Sequence, residues 1–213
     1  MCRMMWIRAP HPVALTPFLE KFAQMARQSQ EYQGHGWGIA YRTNGEWHRY
    51  RTVSPVWKDT LTQFGVAREC VVHARSAFRD RDIVVENNMP FVKEDVVFAF
   101  NGELQGVRLA VPGRTGAHKI FHLFHRFYNG NLQEALGQLL QLLEQKSRYI
   151  RACNIIVSNG KQAAVASLFN ENPTYFSLRE YHHQDFRLVV SEPLAGLGRY
   201  RTLPNRTIKE YPL

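Results

Sequence analysis

The sequence has few cysteines, no long apolar run and no internal repeat. Its three cysteines, Cys2, Cys70 and Cys153, are odd in number and widely spaced. This usage argues against a disulfide framework and favours a reducing compartment, so we expect a cytoplasmic protein. No stretch approaches the roughly 20 apolar residues that span a bilayer. The first residues also lack the apolar core and cleavage site of a signal peptide, so we expect neither export nor a membrane partner.

Concentrated charge is also missing, although the chain is basic overall. The net charge is +9 and the isoelectric point is about 9.7, but no basic run is longer than two residues. Neither a recognition helix nor a zinc-finger pattern is present, so nucleic acid is not the expected partner. The alternating segment 79–82 (Arg-Asp-Arg-Asp) is typical of a solvated loop. The surplus of positive charge favours an anionic substrate or partner instead.

The length and composition predict one folded domain over residues 1–213. Apolar residues make up 45% and charged residues 21% of the chain, as in soluble proteins with a real core. No segment has the composition of a linker. Cys70 and Cys153 fall in apolar, strand-like runs, and we interpret both as buried, inert thiols.

Turn signals and apolar periodicity predict antiparallel strands with helices between them. Asn44-Gly45 and Asn159-Gly160 are each typical of a two-residue hairpin turn. Helices are predicted from Thr16, as cap, to near Gln30, and over 59–64, 118–128 and 132–148. Strands are predicted over 37–42, 46–53, 69–74, 96–100, 154–157, 162–169, 174–180 and 187–190. Hairpins on both sides of a helix pair predict an α+β protein with antiparallel sheets covered by helices.

Cys2 follows the initiator methionine, and this position has a chemical consequence. Removal of Met1 would place a thiol and a free α-amine on one residue. The amine has an ordinary pKa of about 7.7–8.0, so it can act as a general base for the thiol. Nucleophile and base then come from one residue, the N-terminal-nucleophile solution to amide hydrolysis.

Three more segments carry residue types that such chemistry needs. Residues 34–40 (GHGWGIA) contain three glycines at the start of a predicted strand. This pattern is typical of a place where the backbone approaches another group closely, or of an ordinary turn. Arg75 ends an apolar strand and can grip a carboxylate with two hydrogen bonds, or form a surface ion pair. Asn101 and Gly102 end another strand. An Asn amide and a Gly N–H can form an oxyanion hole, whereas Asn-Gly more often marks a hairpin turn.

Taken together and in this order, these segments resemble class II (N-terminal-nucleophile) glutamine amidotransferases, in their small stand-alone bacterial branch. The matching segments are Met-Cys-Arg (1–3), Gly-Trp-Gly-Ile-Ala (36–40), His-x-Arg-x-Ala (73–77), Asn-x-x-Pro-Phe (87–91), Phe-x-x-Asn-Gly-Glu-Leu (98–104), Val-Ser-Glu-Pro-Leu (190–194) and Leu-Pro-Asn (203–205). The likeness spans nearly the whole chain. It implies a four-layer αββα sandwich, with the nucleophile at a strand end between two antiparallel sheets (the Ntn-hydrolase fold).

The resemblance also implies roles for individual residues. Cys2 would attack the amide carbon while its own α-amine takes and returns the proton. Asn101 and Gly102 would stabilise the oxyanion, and Arg75 would hold the α-carboxylate of a glutamine-like substrate. A thioester would form, ammonia or an amine would leave, and water would release the acid. The family needs no cofactor and no metal.

The sequence departs from the family around the substrate. The family carries Thr-Asp-Ser/Thr-Glu where this chain has residues 115–118 (TGAH), so Gly116 replaces the aspartate that pairs with the substrate's α-ammonium, and His118 replaces the glutamate. A buried, unpaired ammonium costs several kcal/mol, so this change should weaken glutamine binding. Met89 stands where the family has a histidine before Pro-Phe, and Phe78 stands where a small polar residue is common. His118 could line the altered pocket.

His118, His122 and His125 share one face of the predicted helix. Histidines at i and i+4 can bind zinc, but a polar stripe opposite Ile120 and Leu123 explains the spacing as well. We favour the polar stripe and expect no metal site.

The sequence therefore predicts a hydrolase of carbon–nitrogen bonds that acts on a small-molecule amide. We expect the substrate to be an amide other than free glutamine, such as a γ-glutamyl compound or one without an α-amine. Two alternatives stay open. The chain could be a catalytically weakened relative that binds a ligand or serves as an accessory subunit, or it could donate ammonia to a separate synthetase chain.

Overall fold

The computed structural model describes residues 1–212 and contains two antiparallel sheets. The strands are β1 (Arg3–Ala14), β2 (Trp37–Thr43), β3 (Glu46–Thr52), β4 (Val66–Ala74), β5 (Phe91–Lys93), β6 (Val96–Gln105), β7 (Tyr149–Ser158), β8 (Gln162–Ser167), β9 (Arg179–His182), β10 (Arg187–Val190), β11 (Arg201–Thr202) and β12 (Thr207–Pro212). The helices are α1 (Thr16–Gln28), α2 (Gly116–Phe127), α3 (Leu132–Lys146) and α4 (Pro173–Phe176). Short 3-10 turns cover Val56–Lys58, Leu61–Phe64, Phe78–Asp80 and Val85–Asn87.

Strand order places the N-terminus at the centre of the molecule. The seven-stranded sheet runs β11-β9-β10-β1-β4-β2-β3, and the five-stranded sheet runs β12-β8-β7-β6-β5. β1 therefore pairs on both sides, with Met5 opposite Val190 and Arg3 opposite Ala74. Residue 2 consequently sits at the end of a fully paired inner strand.

Alternation along the strands builds three apolar layers. In β1, Met4 and Trp6 face the other sheet, whereas Met5 and Ile7 face α1. Successive strand residues point to opposite faces, so one strand supplies both layers. Side chains of α2 and α3 pack on the outer face of the five-stranded sheet. The layer order is α, β, β, α, and the predicted sandwich is confirmed.

A buried carboxylate ties the two sheets together. Glu69 on β4 pairs with Arg8, at 2.8 Å between Oε2 and Nη2. Its Oε1 accepts hydrogen bonds from Trp6 Nε1 at 2.7 Å and from Ser158 Oγ at 2.6 Å. Ser158 lies on β7 of the opposite sheet. Because a buried charge is tolerated only when paired and hydrogen-bonded, these contacts favour one relative placement of the sheets.

Most predicted elements are present, with longer or shifted ends. Asn44-Gly45 and Asn159-Gly160 join β2 to β3 and β7 to β8 as predicted. Thr16 is not a cap, because α1 already includes it and Leu15 holds the cap position without a side-chain bond. The predicted helix over 59–64 is instead a 3-10 turn at Leu61–Phe64.

Two predictions were wrong in kind. The strand predicted over 174–180 begins as helix α4, because the Asn172 side chain caps it by accepting from Tyr175 N at 3.2 Å and Pro173 takes the first turn. The alternative of a hairpin turn at Asn101-Gly102 was also wrong, since both residues lie inside β6, opposite Asn154 and Cys153.

No helix within residues 1–212 is long and apolar enough to cross a membrane.

Candidate active site

Cys2 lies where β1 and β4 end side by side. Because Arg3 pairs with Ala74, the residues before and after these positions also meet. The backbone N–H of Ser76 points at Cys2 Sγ at 3.4 Å, and Sγ is 3.6 Å from the Ser76 carbonyl oxygen. The register of two strands thus positions the thiol beside the segment that carries Arg75.

The surroundings of Cys2 keep its thiol protonated. Burial raises the pKa of Cys2, while the Ser76 N–H, the N-terminal ammonium and the charges of Arg75 and Arg3 lower it by less. A thiol of this kind needs a base to become a nucleophile.

Met1 is held by both of its polar ends and by its side chain. Its amine forms an ion pair with Glu31, and its carbonyl accepts a hydrogen bond from Gln33 Nε2 at 2.8 Å. The side chain is buried in a small apolar cluster with Ala152, Phe169 and Phe176. Burial lowers the pKa of the Met1 amine from 8.0 to about 6. The ion pair with Glu31 opposes this effect, because a neighbouring carboxylate favours the ammonium form.

The Arg75 guanidinium is fixed by the loop that follows β4. Its Nη1 donates to the Asp82 carbonyl at 2.9 Å and to Asn88 Oδ1 at 3.3 Å. Asn88 Nδ2 in turn donates to the Thr52 carbonyl at 2.6 Å. The guanidinium retains N–H groups beyond these bonds, so it can still bind a carboxylate.

Gly36 explains part of the glycine-rich segment. Its φ is +109°, and a Cβ there would stand 2.1 Å from Asn88 Nδ2 and 2.5 Å from the Thr52 carbonyl oxygen. Only glycine lets the backbone approach Asn88 so closely. The segment therefore supports the residue that orients Arg75.

Asn101 and Gly102 occupy the middle of β6. Asn101 is buried, and its Oδ1 has no hydrogen-bond partner among residues 1–212. At Gly102 a Cβ would lie 2.3 Å from the Ala152 carbonyl oxygen, so the strands approach too closely for a side chain. The pair combines a side-chain amide with an unshielded backbone N–H, which are the donors an oxyanion hole needs.

A cavity of about 900 Å³ brings these groups together. Cys2, Arg75, Gly102 and Gly116 all line it, whereas the buried Asn101 is not among the lining residues. The volume is in the range of small-molecule sites in proteins.

Positive charge dominates the cavity wall. Its cationic side chains are Arg75, Arg79, Arg81, Arg114, Lys119 and Arg151, and its carboxylates are Glu31, Asp82 and Glu103. Two of these carboxylates already have cationic partners, because Glu31 pairs with the Met1 amine and Glu103 with Arg151. The wall is suited to anionic groups more than to an ammonium.

Gly116 and His118 differ in their surroundings. Gly116 begins α2, and a Cβ there would meet no atom within 4 Å. His118 stacks on Phe91 with 4.1 Å between ring centroids, and its Nδ1 lies 3.1 Å from Thr115 Oγ1. Burial lowers the pKa of His118. Gly116 thus leaves open space at the cavity, whereas His118 packs beside it.

The remaining candidates fit structural roles. His122 is exposed and His125 packs edge-on against Phe121 with 4.7 Å between ring centroids. Within the described part of the chain, no cluster of three His, Cys, Asp or Glu side chains could hold a metal. Cys70 and Cys153 are fully buried, and burial raises the pKa of both thiols, that of Cys153 to about 12.

Sequence reasoning missed three residues of the site. Glu31 and Gln33 hold Met1, and Asn88 holds Arg75. Asn88 lies in the Asn-x-x-Pro-Phe segment, which was a usable signal. Nothing in the segment around Glu31 and Gln33 distinguishes them from ordinary polar loop residues.

Neither a protein-family model nor the sequence of a curated protein matches this chain. Solved structures do resemble it. A glutamine aminotransferase class-II domain protein from Silicibacter pomeroyi has a TM-score of 0.64 at 19% identity, over 99% of this chain and 95% of the other. A predicted glutamine amidotransferase from Pseudomonas aeruginosa has a TM-score of 0.60 at 13% identity, over 99% and 97%.

A larger enzyme contains the same architecture. The glutamine phosphoribosylpyrophosphate amidotransferase from B. subtilis has a TM-score of 0.64 at 17% identity, over 89% of this chain. The match covers only 42% of the B. subtilis chain. At such low identities the likeness concerns architecture and leaves activity open. This chain has the αββα sandwich fold of class II glutamine amidotransferase domains.

Proposed function

We propose that this protein, once Met1 is removed, is a cysteine amidohydrolase that cleaves the amide of a small molecule carrying a carboxylate. The observation that carries the proposal is the convergence of Cys2, Arg75 and Gly102 on one cavity. These residues are far apart in sequence and provide a nucleophile, an anion-binding group and an oxyanion donor.

The α-amine of Cys2 is the base in this proposal. An N-terminal α-amine has an ordinary pKa of about 7.7–8.0, which is close enough to neutral pH for the amine to exchange a proton with the thiol. The thiol proton moves to this amine as Sγ attacks the carbonyl carbon. The C–S bond forms, the C–N bond breaks, and the leaving nitrogen takes the proton from the α-ammonium. Water then hydrolyses the thioester, with the amine again as base.

Asn101 and Gly102 supply the charge stabilisation. The developing oxyanion receives hydrogen bonds from the Asn101 amide and the Gly102 N–H. Each such donor typically changes kcat by a factor of about 10² to 10³. The pairing of β6 with β7, in which Gly102 lies opposite Cys153, holds this part of the backbone in place.

The acyl part of the substrate differs from glutamine in this proposal. Arg75 binds its carboxylate, but the wall at Gly116 offers open space instead of a carboxylate for an α-ammonium. We therefore assign the substrate to amides without an α-amine, because a γ-glutamyl compound carries the same α-ammonium as glutamine. The excess of cationic side chains around the cavity supports this assignment.

Intact mass spectrometry tests the proposal directly. The processed protein is incubated with glutamine, γ-glutamyl amides and monoamides of glutaric acid, then examined for acylation at Cys2. We expect an acyl adduct that Cys2→Ala abolishes and the matched variant Cys70→Ala retains. Absence of an adduct and of turnover with the whole panel would reject the enzyme and favour a ligand-binding subunit.

Ammonia donation to a separate synthetase gives a different result. The similar solved structures include a glutamine phosphoribosylpyrophosphate amidotransferase and a predicted glutamine amidotransferase, which makes this the second candidate. It predicts that free glutamine is the best amide of the panel and that a synthetase chain co-purifies with the protein.

A further inference from the structure

The residues around Met1 form a pocket with both apolar and polar walls, which we name the Met1 pocket. Its apolar wall consists of Ala152, Phe169 and Phe176, all buried, with Tyr175 packed against them. Met1 itself is 9% exposed. These side chains belong to β7 and to the segment from 169 to 176, so the five-stranded sheet supports the wall.

Polar groups close the other side of the Met1 pocket. Glu31 pairs with the Met1 amine, and Gln33 donates to the Met1 carbonyl. Gln33 is fully buried, and its Oε1 has no hydrogen-bond partner within residues 1–212. A buried amide oxygen without a partner is costly, so this atom is suited to a donor that arrives with a ligand.

The Met1 pocket adjoins the reacting atoms. The Met1 carbonyl carbon is bonded to the nitrogen that becomes the α-amine of Cys2. That amine must reach the leaving nitrogen of the substrate within hydrogen-bond distance to protonate it. Met1 also lines the same cavity as Cys2 and Arg75. The leaving nitrogen of a bound amide therefore lies close to the place that Met1 holds.

We propose that the Met1 pocket binds the leaving amine of the substrate after processing, and that this amine carries an apolar group about the size of a methionine side chain. The inference rests on the proposed function and extends it. The substrate is a secondary amide, R–CO–NH–R′, with its carboxylate on Arg75 and the apolar R′ against Phe169 and Phe176. The products are the free acid and the amine R′–NH₂.

Ammonia is a poor match for this pocket. An ammonia leaving group would cover none of the apolar wall, whereas an alkyl group removes that wall from water. One methylene in an apolar pocket changes kcat/KM by about 10- to 200-fold. A branched four-carbon amine is the simplest probe of the apolar volume.

The test compares two monoamides of glutaric acid, the N-isobutyl and the N-methyl compound, with the processed protein. Both lack an α-ammonium, and their amines have similar basicity, so their chemical reactivity is matched. We expect kcat/KM to be at least about tenfold higher for the N-isobutyl amide. Phe169→Ala should bring the ratio of the two values close to one. Phe18→Ala, the same substitution on α1 and outside the Met1 pocket, should keep the ratio.

A second measurement needs no variant. Isobutylamine should inhibit hydrolysis of the N-methyl amide at concentrations at least about tenfold lower than methylamine. Equal kcat/KM for the two amides, or equal inhibition by the two amines, would overturn the Met1 pocket as a leaving-group site while acylation of Cys2 still supports the hydrolase. Failure of every amide to acylate Cys2 would overturn both.

Discussion

Gly116→Asp should shift the preference of this protein towards free glutamine. The substitution places a carboxylate at the cavity wall, where a Cβ meets no atom within 4 Å. The position is the first of α2, and its backbone does not have the positive φ that would require glycine. The new side chain can therefore be accommodated without moving the helix.

The expected gain follows from the strength of a charged hydrogen bond. Such bonds contribute about 1.5–3 kcal/mol, and because Gly116 is exposed at the rim of the cavity, we expect the lower end of this range. Since 1.4 kcal/mol corresponds to a factor of ten, kcat/KM for glutamine should rise about tenfold relative to glutaramate, the unsubstituted monoamide of glutaric acid. Glutaramate serves as the reference because it has no α-ammonium.

The assay measures glutamate release from glutamine and ammonia release from glutaramate for three proteins. Gly116→Asn is the matched control, because it adds the same volume without the charge. Asp in the first turn also stabilises a helix by about 0.3–1 kcal/mol, so the variant should not unfold earlier than wild type. An unchanged ratio in a folded Gly116→Asp protein, or the same gain in Gly116→Asn, would refute the reasoning.

Three further predictions concern the oxyanion site, a buried histidine and the link between the sheets. Asn101→Ala should lower kcat by a factor of about 10²–10³ with a smaller change in KM, as measured by rapid-quench acylation. A variant that changes only KM and keeps kcat would contradict the oxyanion role. Burial lowers the pKa of His73 from 6.5 to about 3, so below pH 6.5 the folded state binds fewer protons than the unfolded state. The free energy of unfolding should therefore fall by about 1.4 kcal/mol for each pH unit between pH 6.5 and pH 3. Urea unfolding between pH 6.5 and 4 measures the free energy of unfolding of the wild type and of His73→Gln. The difference between the two values should fall with that slope as the pH is lowered, and a constant difference would contradict the prediction. Glu69→Ala should lower the free energy of unfolding by about 3–5 kcal/mol because Arg8 loses its partner, whereas exposed Glu210→Ala should change it little.

Local sequence signals predicted the hairpins and the long helices. Asn-Gly turns and apolar periodicity are determined by neighbouring residues, and β2, β3, α2 and α3 followed them. β1 was missed as an element because its charged residues obscure its alternation. The buried charge of Arg8 is compensated by an ion pair with Glu69 on another strand, and that of Arg3 by an ion pair with Glu192. A single segment cannot reveal such partners.

The site was partly predictable for a similar reason. Cys2, Arg75 and Asn101 each lie at or in a strand, and their chemistry can be recognised from residue type. Their convergence depends on strand order and register, which the sequence pattern alone did not determine. Glu31 and Gln33 matter only because the chain brings them against Met1. Their contribution arises from tertiary contact and has no local signature.

In the proposed function, the burial of Met1 has a consequence for when the protein can become active. An aminopeptidase needs a free, extended N-terminus, but here the amine is engaged by Glu31 and the next residues enter a strand paired on both sides. Under the proposed function, Met1 is therefore removed before the seven-stranded sheet is complete, while the chain is still being synthesised. Molecules that fold before this excision keep Met1 in the Met1 pocket, where the leaving amine would otherwise bind. Rapid overproduction should accordingly yield two stable populations that differ by one residue, and only the shorter one should turn over substrate.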